Sequence, residues 1–177
     1  HCRDEGIRIM TYNVHACVGM DGELSPERIA RVIDQSGANI ICLQELDVFR
    51  MRSGNRDQAH AIALHLEMNH TFHPAWHLEE ESFGNEILTR FPMRIVEMKS
   101  LHHHKSDPSR ISALRAEIDV DEELTLQLIN THLSIYPKEQ LIQAQELMEE
   151  WVQPASMLGP VVLCGDFNAR PNSATHK

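Results

Sequence analysis

The sequence has 177 residues, 42% hydrophobic and 24% charged, as expected for a single globular domain over residues 1–177. Its formal net charge of −10 argues against non-specific nucleic-acid binding, which needs a basic face that releases counterions. No apolar run is long enough for a transmembrane segment and no secretory signal is visible. We therefore expect a cytoplasmic protein, and leave a cleaved signal open because the chain begins at His1.

The first predicted elements are a strand, a helix and a second strand. Residues 7–14 alternate apolar and polar side chains, which predicts a strand with Asn13 near its carboxyl end. A helix is predicted to begin at Pro26, after a serine that can cap it. The apolar run 38–43 predicts a strand buried on both faces, and Glu45 follows it. Glu45 is either a solvated loop acid or a site residue.

The middle of the chain continues with a helix and further strands. Asp57 is predicted to cap a helix whose apolar residues share one face. The predicted strands that follow are 71–78, 84–91 and 95–101. The three histidines at 102–104 resemble a metal-binding tract. We interpret them as a loop, because adjacent residues cannot all face one ion from a strand.

The last third predicts a hairpin, a helix and a final strand. Residues 111–120 and 124–133 form the hairpin, and its second strand ends at the polar residues around His132. The helix is predicted between Pro137 and Pro154, with its apolar face formed by Leu141, Ala144, Met148, Trp151 and Val152. The final buried strand, 160–163, leads into Cys-Gly-Asp-Phe-Asn-Ala, which is interpreted as either a turn or a site.

Polar residues thus recur at or just past the predicted strand ends: Asn13, Glu45, His132, Asp166 and Asn168. The carboxylate of Glu45 suits Mg²⁺, which takes few protein ligands and keeps several waters. Asp166 is placed to orient a water, and the amides and the imidazole to donate to phosphate oxygens. These residues favour phosphoester hydrolysis by positioning and electrostatics, without a covalent nucleophile. The sequence has no G-x-S-x-G elbow, P-loop or G-x-G-x-x-G motif.

Five motifs in order resemble the endonuclease/exonuclease/phosphatase family. They are Thr-Tyr-Asn-Val-His at 11–15, Leu-Gln-Glu-Leu-Asp at 43–47, Gly-Asn-Glu-Ile-Leu-Thr-Arg at 84–90, Asn-Thr-His-Leu-Ser at 130–134 and Gly-Asp-Phe-Asn-Ala at 165–169. The resemblance implies an α/β fold, a four-layer α/β sandwich with two facing mixed sheets. It also implies Mg²⁺ or Mn²⁺ as cofactor and cleavage of phosphodiesters or phosphomonoesters.

The same resemblance implies roles for individual residues. Glu45 becomes the main metal ligand and Asn13 lies near the metal and the phosphate. His132 binds the scissile phosphate or assists the leaving group, Asp166 activates the water and Asn168 holds the phosphate. Asn85 belongs to a motif that lines the cleft and is assigned to phosphate binding. Arg110 and Arg115 are further candidates for phosphate clamps.

One departure separates the sequence from the family pattern. Family members continue past Gly-Asp-Phe-Asn for several strands and close with Ser-Asp-His, whereas this sequence ends at Lys177. His176 does not match that motif. We therefore expect the C-terminal strands and their histidine to be missing, with exposed strand edges and self-association as consequences. The alternative function is a catalytically inactive binding or scaffold module on the same fold.

The substrate is left open by the sequence. The resemblance admits DNA, RNA, a lipid head group, an inositol phosphate or another small phosphodiester. The net charge of −10 weighs against long nucleic acids.

Overall fold

The computed structural model describes residues 6–103 and 111–176, and it contains two four-stranded sheets that pack face to face. The first sheet has the order β1-β2-β4-β3 and the second β5-β6-β7-β8. The strands are β1 (Ile9–Asn13), β2 (Ile40–Val48), β3 (Asn69–Leu78), β4 (Glu81–Thr89), β5 (Met93–Ser100), β6 (Ser112–Asp119), β7 (Thr125–His132) and β8 (Val161–Asp166). The pairs β1–β2 and β7–β8 are parallel and the other pairs antiparallel, so both sheets are mixed.

Helices cover the outer face of each sheet. They are α1 (Pro26–Ser36), α2 (Gln58–Leu66), α3 (Pro137–Glu146) and α4 (Gln153–Ser156), with a π-helical segment (Leu147–Val152) between α3 and α4. Short 3-10 turns occupy His15–Cys17, Met51–Ser53 and Ala174–His176. No helix in the described part of the chain combines the length and the apolar character needed to cross a membrane.

Three apolar clusters hold the layers together. Residues of α1 and α2, such as Ile33 and Ile62, pack on Leu43 of the first sheet. Cys42, Ile87, Leu114 and Leu128 fill the space between the sheets. Ile129 of the second sheet packs with Leu147 and Trp151 of the helical layer. These are the layers of a four-layer α/β sandwich, so the predicted fold class is confirmed.

Helix termini follow the predicted capping chemistry. The Ser25 hydroxyl accepts a 3.1 Å hydrogen bond from the backbone N–H of Arg28, and Pro26 takes the first helical position. Gly37 ends α1 in the left-handed conformation at φ 66°. Asp57 caps α2 by accepting from the N–H of His60 at 2.9 Å.

The third helix differs from its prediction in both its face and its end. Leu141 and Met148, predicted to be core residues, are 49% and 48% exposed, while Gln140 and Gln143 are buried. The glutamine amides bond to loop backbone, since Gln143 accepts from Ser134 N–H at 2.9 Å and donates to the His102 carbonyl at 2.7 Å. Helical structure also runs past Pro154, which lies in the first turn of α4 after the π-helical segment.

Two sequence candidates fall partly or wholly outside the described residues. His102 and His103 lie in irregular chain after β5, as the loop interpretation predicts, but His104 and Arg110 lie outside the described ranges. In the described part of the chain, β1 and β8 are each an edge strand with one unpaired side.

Candidate active site

The final residues of three strands meet at one end of the sandwich. Asn13 ends β1, His132 ends β7 and Asp166 ends β8. His132 and Asp166 are register partners in the parallel pair β7–β8, so the carboxyl ends of the two strands coincide. The Nδ2 of Asn13 donates a 2.9 Å hydrogen bond to Oδ2 of Asp166, which joins the two sheets.

Glu45 reaches this end of the molecule by a different route from the predicted one. The strand was predicted to end at residue 43, but β2 continues to Val48 and Glu45 lies inside it. The pairing with β4 shifts register between Leu43 and Leu46, and Glu45 has a left-handed φ of 62°. A bulge of this kind re-aims a side chain that regular pleating would direct elsewhere. The left-handed backbone of Glu45 therefore belongs to this bulge, and bulges are common next to active sites.

Two imidazole rings approach the Glu45 carboxylate. Nδ1 of His15 lies 3.3 Å from Oε2, and Nε2 of His132 lies 3.8 Å from Oε1. The same Nε2 of His132 is 4.0 Å from Oδ2 of Asp166. His132 is only 3% exposed, so it is a buried ring between two carboxylates. This arrangement brings Glu45, His132 and Asp166 together, as the sequence predicted.

His15 is a site neighbour to which the sequence interpretation gave no role. Its N–H donates to Oδ1 of Asn13 at 3.0 Å, and it begins a run of three left-handed residues, His15, Ala16 and Cys17. Gln58 holds this run in place by donating to the Ala16 carbonyl at 2.7 Å. The available signal was its position two residues after Asn13, where a strand gives way to a turn.

Asn168 lies in a turn and also beside the candidate site, so both interpretations of the segment after β8 apply to it. Its N–H donates to Oδ1 of Asp166 at 2.9 Å, the side-chain contact of an Asx turn. Its Nδ2 donates to the Leu133 carbonyl at 2.9 Å and lies 3.3 Å from Nε2 of His132. The turn therefore places the Asn168 amide against the His132 ring.

Gly165 is required where β8 passes β7. Its φ is 146°, and a Cβ added to it would lie 1.9 Å from the carbonyl oxygen of Thr131. Only glycine allows so close an approach between the two backbones. The residue thereby sets the position of Asp166, which follows it.

Two of the other predicted phosphate contacts have partners elsewhere. Asn85 is buried and donates from Nδ2 to the Ser112 hydroxyl at 2.8 Å, which joins β4 to β6 between the sheets. Arg115 donates to Oε1 of Gln127 on the neighbouring strand at 2.7 Å. The structure therefore does not bring Arg115 to the site, because this hydrogen bond directs it along the second sheet.

A buried amide network beneath the site was not anticipated. Nε2 of Gln44 donates to Oδ1 of Asn130 at 2.8 Å. Nδ2 of Asn130 donates to the carbonyls of Leu43 and Glu86, at 3.0 and 2.9 Å. These bonds fix β7 to β2 and β4 directly beside the Glu45 bulge. The signal was an amide inside each of two buried strands, which a buried sheet tolerates only when the amide is hydrogen-bonded.

A cleft of about 210 Å³ opens on one side of Glu45, and His15, Arg52 and Phe83 contribute to its wall. Arg52 is held there by two hydrogen bonds to the fully buried Asp47, from Nε at 2.8 Å and from Nη2 at 2.7 Å. The cleft therefore has a carboxylate on one wall and a guanidinium on another.

The residues at this site suit a hard divalent cation that keeps most of its own waters. Within residues 6–103 and 111–176, no three His, Cys, Asp or Glu side chains converge to enclose a metal. Glu45 is 14% exposed at the bulge and lines the cleft. Asn13 Oδ1 accepts one hydrogen bond and has a second lone pair. One carboxylate plus an amide oxygen fits Mg²⁺ or Mn²⁺, which take few protein ligands.

Residues 10–177 match the sequence model of the Endonuclease/Exonuclease/phosphatase family, almost the whole chain. The chain belongs to this family. The match confirms the resemblance found in the motifs. A comparison with curated proteins gives no significant match.

Solved structures of the family share the fold. The chain matches an endonuclease/exonuclease/phosphatase from Beutenbergia cavernae DSM 12333 at 22% identity and a TM-score of 0.73, covering 97% of this chain and 50% of that one. The human Nocturnin catalytic domain, solved with a bound sulfate anion, matches at 19% identity and 0.70, covering 96% and 67%. TDP2 from C. elegans matches at 18% and 0.70, covering 95% and 49%. The chain thus spans about half the length of the first and third of these structures.

Proposed function

We propose that the protein is a divalent-metal-dependent phosphoesterase that hydrolyses a phosphodiester or phosphomonoester by in-line attack of water. The observation that supports this most is the meeting of Glu45, His132 and Asp166 at one end of the sandwich, with Asn13 bonded to Asp166. Membership of the Endonuclease/Exonuclease/phosphatase family supports the same reaction class.

Glu45 would hold Mg²⁺ or Mn²⁺, with Asn13 as a second oxygen ligand and the remaining positions filled by water and substrate. When bound, such a cation would neutralise the negative charge that develops on the phosphoryl oxygens. Glu45 is suited to this because its bulge lies beside the bond from Gln44 to Asn130, which fixes β2 to β7.

Asp166 is the proposed base that orients and deprotonates the attacking water. Its Oδ2 accepts from Asn13 and its Oδ1 from the N–H of Asn168, so both oxygens are fixed before substrate arrives. His132 would bind a phosphate oxygen or protonate the leaving group, since its Nε2 faces both carboxylates. Asn168 is a further proposed phosphate contact, which requires its amide to release the Leu133 carbonyl or the His132 ring. Asn85 is another, and its buried amide would have to turn from the Ser112 hydroxyl.

We propose a small phosphoester or a lipid head group as substrate, in preference to long nucleic acid. The support is the net charge of −10, which repels a polyanion except at the metal. A cytoplasmic location is part of the same proposal. Among the described strands, β1 and β8 each have one unpaired edge, which supports self-association by strand pairing. Sedimentation at increasing protein concentration tests this.

The first experiment compares hydrolysis of a chromogenic phosphodiester and a chromogenic phosphomonoester by the wild type, Glu45→Gln and Glu122→Gln. Glu122 lies exposed in the turn between β6 and β7 and serves as the matched control. We expect Mg²⁺- or Mn²⁺-dependent turnover that a chelator abolishes, that Glu45→Gln lowers at least about 100-fold and that Glu122→Gln leaves unchanged. Calorimetry should show weaker Mg²⁺ or Mn²⁺ binding in Glu45→Gln. Absence of turnover by the folded wild type with both ions would favour an inactive binding module.

A further inference from the structure

Two cysteine side chains from different sheets meet in the core between them. The Sγ atoms of Cys42 on β2 and Cys164 on β8 are 3.1 Å apart, although 122 residues separate them in sequence. Both belong to the cluster that fills the inter-sheet layer. Cys42 is fully buried, whereas Cys164 is half-buried.

The two sulfur atoms are in direct contact without a bond between them. A disulfide has an S–S distance of about 2.05 Å, so a shift of about 1 Å would allow the bond to form. β8 is an edge strand of the second sheet in the described part of the chain, and it pairs only with β7. It can therefore move toward β2 more easily than a central strand can.

We propose that Cys42 and Cys164 form a thiol–disulfide site that a hydroperoxide oxidises to a bond between the two sheets. In the first step the Cys164 sulfur attacks the peroxide, giving a sulfenic acid and, with hydrogen peroxide, one water. In the second step the Cys42 sulfur attacks the Cys164 sulfur, forming the S–S bond and releasing a second water. The two thiols together lose two electrons and two protons, which the peroxide takes up.

The order of the two steps follows from burial. Cys164 is half-buried at the sheet edge, so a small neutral oxidant reaches it first. Cys42 is fully buried, and desolvation together with its contact to Cys164 raises the pKa of its thiol well above the ordinary range. Cys42 is therefore a poor first nucleophile, but it lies within reach of a sulfenic acid on Cys164.

The proposed bond would act on the site through both strands that carry it. Cys164 precedes Gly165 and Asp166, and Cys42 lies three residues before Glu45. Gly165 is packed so closely on Thr131 that a movement of β8 changes the Asp166 position. Oxidation should therefore lower turnover and dithiothreitol should restore it, a consequence that rests on the proposed phosphoesterase function.

The test of the bond itself does not depend on activity. The native wild-type chain is treated with hydrogen peroxide, unfolded, alkylated and mapped by peptide mass spectrometry without reductant. We expect one cross-linked peptide pair that contains Cys42 and Cys164, lighter by two hydrogens, sensitive to dithiothreitol and absent from Cys164→Ala. The oxidised form should also melt about 5 °C or more above the reduced form, because the bond closes a loop of more than 100 residues.

Other results would overturn the proposal. These are alkylation of both cysteines after peroxide treatment, a sulfinic acid on Cys164 without a cross-link, or bridges between chains only. If the cross-link forms but turnover is absent before and after reduction, the thiol site stands and the phosphoesterase proposal fails.

Discussion

Asn13 and Asp166 are 153 residues apart in sequence, yet the amide of the first donates directly to the carboxylate of the second at 2.9 Å. This bond joins an edge strand of one sheet to an edge strand of the other at the proposed site. Its donor is also held, because Oδ1 of Asn13 accepts from the N–H of His15. Asp166 therefore has one orientation fixed by a residue from the opposite sheet.

Replacing Asn13 should impair chemistry more than folding. Asn13→Ala removes the donor to Asp166 and the proposed second metal ligand, so we expect kcat to fall about 100-fold. Steady-state kinetics and thermal melting check this, with Asn69→Ala as control because Asn69 is an exposed amide on the far edge strand of the first sheet. An unchanged kcat in folded Asn13→Ala would remove Asn13 from the site.

Gly165→Ala should destabilise the fold severely. The added Cβ would lie 1.9 Å from the Thr131 carbonyl at a left-handed φ of 146°, so the backbone of β7 or β8 must move. We expect a loss of about 3 kcal/mol or more in the free energy of unfolding, measured by urea titration. Gly6→Ala is the control, since a Cβ there meets nothing within 4 Å. Similar unfolding midpoints for the two variants would contradict the close packing of β8.

Arg52 should contribute to stability through the buried Asp47. Asp47 is 0% exposed and accepts both bonds of the Arg52 fork, whereas Arg50 lies 3.8 Å away. Arg52→Ala leaves the Asp47 carboxylate with only the more distant Arg50 as a cation. We expect the free energy of unfolding to fall by about 2 kcal/mol, a loss limited by solvent screening because Arg52 is half exposed.

Arg52→Lys distinguishes the effect of charge from that of geometry. A lysine keeps the charge but cannot make the paired bonds. The free energy of unfolding of Arg52→Lys in urea titration should therefore lie between those of the wild type and Arg52→Ala. If Arg52→Lys is as stable as the wild type, the two-bond geometry contributes nothing and charge alone accounts for the effect.

Glu86 should make stability depend on pH. It is 0% exposed, and desolvation, with the charge of Asp57, raises the pKa of its carboxyl well above the ordinary range. His70 faces it from β3, with Nδ1 2.7 Å from Oε1. An acid with a raised pKa binds its proton more tightly in the folded state, so stability falls as pH rises above about 4.3, the unfolded value.

The measurement is urea unfolding of wild type and Glu86→Gln between about pH 5 and pH 8, a window that begins just above the unfolded pKa. Glutamine cannot ionise, so the free energy of unfolding of Glu86→Gln should rise relative to that of the wild type as pH increases. The curve of the control Glu122→Gln should run parallel to that of the wild type. Parallel curves for wild type and Glu86→Gln would contradict a raised pKa for the Glu86 carboxyl.

Local signals predicted the strands and the first two helices, because capping and periodicity act within a few residues. Ser25 and Asp57 have the capping roles assigned to them. The candidate site residues were selected because they lie at predicted strand ends, and His132 and Asp166 do end their strands. The bulge at Glu45 was not predictable in this way, since it depends on pairing with β4, which is 39 residues away at Gly84.

The helical layer over the second sheet shows the opposite case. Leu141 and Met148 follow the period of an amphipathic helix, yet they are half exposed. Gln140 and Gln143 occupy the inner face because three loops need partners for their backbone groups, at Ser134, Asn168 and His102. Periodicity alone predicts that leucine, not glutamine, faces the core. The opposite arrangement depends on tertiary contacts that the sequence pattern does not contain.

Those two glutamines also determine where α3 can tolerate variation. Gln140 holds the Asn168 carbonyl at 2.8 Å, and Gln143 joins the loop at Ser134 to the chain after β5 at His102. A library randomised over α3 should therefore accept many residues at the half-exposed Leu141 and Ile142 but few at 140 and 143. Helix α3 carries no proposed catalytic group, yet its two buried glutamines should be as intolerant of substitution as the residues of the proposed site.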